Sequence, residues 1–270
     1  GLGGSMHAFF LPFGIYPNNA IVGGSGDISV GAALYKKINR KPGIVICNIG
    51  DGSLGCGPVW EGFMLSAMDQ FRTLWEGDMK GGLPLIFNIM NNQYAMGGQT
   101  RGETMGYDFV ARIGAGINPE QMHAERIDGY NPLAVIDAFR RKKAILEDKR
   151  GPVLLDTLTY RYAGHSPSDA DSYRTAEENE AWEKQDSITS FREQLIRASI
   201  AGADAFAVID EQVIATVTRA VALSIDPAVS PRMDLAKTPD AIEKMMFSNQ
   251  AIARMEDRPC DVLMPKEENP

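Results

Sequence analysis

The sequence predicts an α/β fold: a parallel sheet flanked by helices, continued by a helical C-terminal extension. Three observations carry this. Up to about residue 165, short β-branched runs alternate with helical patterns. Those runs are almost continuously apolar, as in strands covered on both faces. From Ala176 onward the strand signals stop and amphipathic helical patterns replace them. The domain boundaries expected from this change are 1–175 for the α/β core, 176–255 for the helical region and 256–270 for a polar tail or linker.

In order along the chain, Ala20-Ile21-Val22 is a brief apolar run, and Asp27 to Lys37 reads as a helix with Ile28, Ala32, Leu34 and Tyr35 apolar. Ile44 to Ile49 has the pattern of a buried strand and is closed by Gly50-Asp51-Gly52. Pro58 to Gln70 is helical, with Val59, Trp60, Phe63, Met64 and Ala67 at three- and four-residue spacing. Leu83 to Met90 is the next strand, ended by Asn91-Asn92, and Ala124 to Ile127 is another, turned by Asp128-Gly129. Asn131 is placed to cap a helix whose first residue is Pro132. Val153 to Leu158 is the last strand. Glu177 to Ile200 and Asp210 to Leu223 read as helices, 226–238 as irregular chain, and Pro239 to Met255 as a final helix.

Composition narrows the function. The chain has 270 residues, 35 of them acidic and 27 basic, a net charge of −8 with no basic stripe, so nucleic acid is not expected as a partner. No apolar run reaches the roughly 20 residues of a membrane span, and no membrane association is expected. Cys47, Cys56 and Cys260 form no CxxC pair, which argues against a disulfide framework or a thiolate zinc site and is read as a reducing, cytoplasmic setting. His7, His123 and His165 are too scattered for a zinc site; packing is the expected role of the first and a strand-edge position that of the second.

Chemistry concentrates behind two successive strands. Gly50-Asp51-Gly52-Ser53 ends one strand and opens a helix, where the backbone N–H groups of Gly52 and Ser53 can face an anion. Asp51 would repel a phosphate there unless a cation lay between them, and Mg²⁺ suits because it shares oxygen ligands with phosphates. The Asn92 amide oxygen and the Tyr94 backbone carbonyl can complete the protein's share of six ligands. Taken singly, each segment is ordinary loop chemistry, and GDG after a strand is more often a plain turn. The pair, in order on successive strands, points to a metal-bridged diphosphate.

The same pair resembles the thiamin-diphosphate motif. The surrounding blocks resemble the α subunit of the E1 component of 2-oxo acid dehydrogenases. They are Gly3 to His7, Ile21-Val22-Gly23, Asn91 to Gly97, Ile127-Asp128-Gly129, Thr159 to Asp169, and Tyr173-Arg174-Thr175. The resemblance implies the thiamin-diphosphate-binding fold. It also implies Asp51, Asn92 and the Tyr94 carbonyl as Mg²⁺ ligands, Gly52 and Ser53 on the diphosphate, and the backbone of Ala20 and Val22 against the aminopyrimidine. His165 would sit beside the cofactor as a catalytic residue, helping to hold the diphosphate and to order its loop. The expected reaction is oxidative decarboxylation of a 2-oxo acid with reductive acyl transfer to a lipoyl-bearing E2, in an α₂β₂ heterotetramer with a β-type subunit or domain. Acetoin dehydrogenase or another thiamin-diphosphate enzyme shares these blocks and is an alternative; a non-catalytic subunit that keeps the fold is another.

The sequence also departs from the family. Asp51 and Asn92 lie 41 positions apart, more than usual, and the extra residues fall around 71–82. Gly55 stands where Asn is common, and Ala163 where His is common; Ala20 replaces a Gly. The family's segment before GGSMH is not in the sequence, from which a fragment, a split subunit or a processed product is expected. Ser166 and Ser168 fall where some members have a regulatory phosphorylation loop, and ordering of the loop by hydrogen bonds is the expected role here.

Overall fold

In the computed structural model of the protein, residues 14–16, 20–229, 233–241 and 244 are described. The Gly3–His7 block lies outside them, as does most of the expected helix 239–255. The chain forms two compact units, residues 1–200 and 201–270.

The first unit is built on four parallel strands, β1 (Val45–Gly50), β2 (Leu85–Asn91), β3 (His123–Asp128) and β4 (Val153–Leu158), in the spatial order β1-β2-β4-β3. Parallel neighbours need crossovers, and helices supply them. They are α2 (Gly57–Ser66) with a single turn α3 (Gln70–Thr73), α4 (Arg112–Ile117) and α5 (Pro132–Glu147), while α1 (Ser25–Ile38) precedes β1. The α/β class read from the sequence is the observed one.

The two faces of the sheet carry separate cores. One gathers Val30, Val59, Phe63, Phe87, Ile89 and Leu154 beneath α1 and α2. Those helices approach closely because glycines stand at their crossing: a Cβ on Gly62 would lie 3.1 Å from the Gly26 backbone, and one on Gly26 2.8 Å from the Pro58 carbonyl. The other core joins Ile86, Ile127, Val153 and Leu155 to Ala138 and Leu146 of α5. As expected, Asn131 caps α5, its side-chain oxygen accepting from the N–H groups of Leu133 at 3.1 Å and Ala134 at 3.2 Å. Coverage of both faces is incomplete at β1. Ile46 pairs in register with buried Ile86 yet is 45% exposed, because α5 reaches β2, β3 and β4 but not this edge strand.

A buried carboxylate ties three segments together near the strand ends. Asp156 of β4, fully buried, accepts from Arg126 Nε of β3 at 2.6 Å, from Asn91 Nδ2 of β2 at 2.8 Å and from the Ala111 N–H at 3.3 Å.

Two helices differ from expectation. The helix beginning at Gly57 stops at Ser66 rather than Gln70; Asn118 Nδ2 donates to the Ala67 carbonyl at 3.3 Å, and the chain restarts as α3. The expected helix 177–200 is two helices, α6 (Ala176–Glu183) and α7 (Ser187–Arg197). Asp186 separates them by leaving helical geometry and capping α7 through the N–H groups of Ile188 and Thr189. In the second unit, α8 runs from Ala203 to Ile225. No helix among the described residues is long and apolar enough to cross a membrane.

Candidate functional site

Register assembles the site. Gly50 and Met90 are paired at the carboxyl ends of β1 and β2, so the residues that follow, Asp51 and Asn92, leave adjacent strands side by side. Such a position beyond the strand ends is where open α/β sheets bind ligands. Asp51 begins a 3₁₀ turn, Asp51–Gly55, and is 1% exposed. Its Oδ1 accepts the Asn92 N–H at 3.3 Å and its Oδ2 the Thr100 hydroxyl at 2.5 Å. Burial pushes the Asp51 carboxyl above its ordinary range, while the Thr100 and Asn92 hydrogen bonds and the charge of Arg161 pull the other way. A buried carboxylate in this state favours any arrangement that brings a cation to it.

The second strand end folds back on itself. Asn92 Oδ1 accepts the Tyr94 N–H at 2.9 Å across Gln93, whose φ of +66° makes the tight turn. The Tyr94 carbonyl accepts from Arg161 Nη2 at 3.4 Å and the Ala95 carbonyl from Arg161 Nη1 at 2.9 Å. Gly52 faces this loop so closely that a Cβ there would lie 3.2 Å from the Ala95 Cβ. The N–H groups of Gly52 and Ser53 sit in the first turn of the 3₁₀ segment, where donors have no partner within the helix. Asp51, Asn92 and the Tyr94 carbonyl thus share one cluster of loops. Their donors, a carboxylate, an amide and a backbone carbonyl, are all the hard oxygens a divalent cation such as Mg²⁺ takes.

Ala20 and Val22 lie in the exposed turn before α1. Gly23, at φ +82°, packs that turn against Cys56, just past the 3₁₀ segment, so the turn borders the same strand end. His165 is on the loop 159–175 and is exposed; its backbone N–H donates to Asp169 Oδ2 at 2.7 Å. The structure therefore brings Asp51, Gly52, Asn92 and Tyr94 into direct contact or one step from it, and leaves His165 exposed on its loop. The Ser166 and Ser168 hydroxyls lie 3.2 Å apart on that loop.

Sequence reasoning missed the residues that hold this loop. Arg174, whose side chain is fully buried, donates to Asp171 Oδ1 at 2.6 Å, to the Ala163 carbonyl at 3.0 Å and to the Arg161 carbonyl. Its guanidinium lies over Tyr94, Tyr160 and Tyr173 at 5.3, 5.1 and 5.6 Å from the ring centroids. Tyr94 and Tyr160 both donate to Glu178 of α6, at 2.7 and 3.0 Å, and burial together with that carboxylate pushes both phenols upward. Trp182 of α6 stacks on Tyr160 with ring centroids 4.9 Å apart. Arg161, Tyr173 and Arg174 stand inside the family-like blocks, but the blocks give them no task. Thr100 has no sequence signal, because its partner is 49 positions away.

Comparison with known proteins identifies the family of the chain. The family model described as dehydrogenase E1 component matches residues 1–229. The mitochondrial pyruvate dehydrogenase E1 component subunit alpha of Dictyostelium discoideum is 34% identical over 217 residues, covering 79% of this chain and 52% of its own length. The Rickettsia bellii subunit alpha is 32% identical over 225 residues, covering 83% and 64%. The human somatic-form mitochondrial subunit alpha is 33% identical over 215 residues, covering 79% and 50%. The chain thus spans from half to just under two-thirds of the length of these relatives. The cytoplasmic setting read from cysteine usage does not stand. Relatives of equal similarity include proteins named as mitochondrial, and unpaired cysteines do not tell one reducing compartment from another.

Proposed function

The chain belongs to the dehydrogenase E1 component family, as an α-type member, and on that premise we propose that it holds thiamin diphosphate and Mg²⁺ for oxidative decarboxylation of a 2-oxo acid. Pyruvate, the acid in the relatives' names, is the first substrate to test. The reading includes reductive acyl transfer to a lipoyl-bearing E2, and activity only with a β-type partner, which would supply the rest of the active site.

The observation that carries it is the buried Asp51 carboxylate facing the Asn92 loop at the ends of two adjacent parallel strands. Asp51 and Asn92 would ligate the metal by side chain and Tyr94 by its carbonyl, Arg161 giving up that carbonyl as the cation enters. Gly52 and Ser53 would donate N–H groups to the diphosphate, and the Ala20 and Val22 backbone would meet the aminopyrimidine. His165 would contact the diphosphate from its loop. When bound, the cofactor supplies the carbon nucleophile and the electron sink; the chain's own work is to orient it and to keep its charge matched.

Native mass spectrometry of the chain with and without thiamin diphosphate and Mg²⁺ tests this. The expected result is a metal-dependent gain of one cofactor per chain, absent in Asp51→Ala. No gain even after addition of a β-type subunit would sink the proposal.

A further inference from the structure

A second cavity, of about 490 Å³, opens at the opposite end of the sheet, against Ile44 and Pro84, which immediately precede β1 and β2. It is lined by six cationic and two acidic side chains, in a chain whose overall charge is −8. The two acids are already committed: Asp78 to Arg40, at 2.5 and 3.2 Å, and Glu147 to Lys143. Four lysines form no ion pair among the described residues, although the charge of Lys149 reaches Asp78. Lys36 donates to the Pro42 carbonyl at 2.7 Å, Lys37 to the Gly81 carbonyl at 2.5 Å and Lys149 to the Asp78 carbonyl, while the Lys41 side chain is exposed with no hydrogen-bond or ion-pair partner among the described residues.

Cations at helix C-termini are ordinary, since the last carbonyls favour them. That accounts for Lys36 and Lys37, in the last turn of α1. Lys41 follows just past the same helix end and Lys149 just past the end of α5; a helix end favours each cation separately but does not require that those of two helices converge on one cavity. The convergence has an electrostatic cost: burial first, then the charge of Lys149, push the Lys37 ammonium down to about 8. The wall is also specifically shaped. Gly81, at φ +116°, and Gly82 lie against Lys149 and Gly151 where added Cβ atoms would come within 2.6 and 1.7 Å of them. These glycines belong to the 71–82 segment that lengthens the spacing between the two strand-end motifs. Ile44, Pro84 and Leu146 add apolar surface to the lining.

We propose that this cavity is a binding site for an organic polyphosphate of nucleoside-diphosphate size, its phosphates on Lys36, Lys37, Lys41 and Lys149 and its apolar body against Ile44, Pro84 and Leu146. The volume lies within the range of small-molecule sites. The site is separate from the one beyond the strands' carboxyl ends, and its existence does not depend on the function proposed for that one.

Isothermal titration calorimetry of the full chain with ADP, in low salt and without divalent metal, tests it. One ADP per chain is expected, with affinity that falls as salt rises and is unaffected in Asp51→Asn. Inorganic pyrophosphate, lacking the apolar body, should bind at least tenfold more weakly. Lys41→Glu, at an exposed and unbonded position, should leave the fold intact and weaken ADP by about tenfold or more. The proposal is overturned if ADP does not bind, if Lys41→Glu binds as the parent does, if pyrophosphate binds as tightly as ADP, or if thiamin diphosphate with Mg²⁺ displaces the ligand.

Discussion

Replacing Arg174 by methionine should loosen the loop that carries His165. Methionine keeps most of the side-chain volume among Tyr94, Tyr160 and Tyr173 but removes the charge and every donor. Three hydrogen bonds vanish, to Asp171 and to the carbonyls of Ala163 and Arg161. Asp171 keeps Asn179 Nδ2 at 3.1 Å and is partly solvated, so the loss falls at the low end of the 3–5 kcal/mol expected when one member of a buried pair is removed: about 3 kcal/mol. In a unit of this size each kcal/mol moves Tm by about 2–4 °C, which predicts a fall of about 6–12 °C if the loop unfolds with the rest. If it opens alone, the change appears instead as roughly a hundredfold faster hydrogen exchange at the backbone amides of 161–175. Arg174→Lys should fall between the two, since an ammonium keeps the charge without the planar fork. Thermal unfolding and exchange mass spectrometry on the three proteins decide the matter. A methionine variant with Tm within about 2 °C of the parent and unchanged exchange in the loop would refute the reasoning.

Three other outcomes follow from the same geometry. Asp51→Asn should be as stable as the parent, or more so, without metal, because an amide needs no cation in that buried position; it should also lose any rise in Tm on adding Mg²⁺ with thiamin diphosphate, read by differential scanning fluorimetry. Asn131→Ala should cost about 1 kcal/mol in urea unfolding by leaving two donors of α5 without their cap, with Asn131→Ser restoring most of it. Glu125 is held down to about 2, first by its hydrogen bonds to Arg141 and then by Lys142, against an ordinary value of 4.5. Its contribution is therefore complete above pH 4.5 and is lost as pH falls through 2. The stability difference between the parent and Glu125→Gln should shrink over that interval, and a constant difference from about pH 6 to pH 2 would show that the pairing is inert.

Much of this is local and so legible in the sequence. β-branched apolar runs, glycine-bounded strand ends and the Asn131-Pro132 cap act over a few residues, and each marks its element in the chain. Val153–Leu158 matches its expected bounds, and β1, β2 and β3 are displaced by a residue or two at their ends. The pairing of Asp51 with Asn92 is legible too, because consecutive parallel strands place their carboxyl ends on one side.

Tertiary structure alone decided what meets across distance. The spatial order β1-β2-β4-β3 puts β4 between β2 and β3 and lets Asp156 bind both of its neighbours. It also leaves Ile46 of edge strand β1 beyond the reach of α5. Thr100 on Asp51, Arg161 on the Tyr94 carbonyl, the three rings around Arg174 and the lysines at the far end of the sheet join residues that are mostly dozens of positions apart. A one-dimensional pattern carries the periodicity of each segment but not the direction in which a side chain leaves a loop. Those pairings arise only when packing fixes the loops against one another.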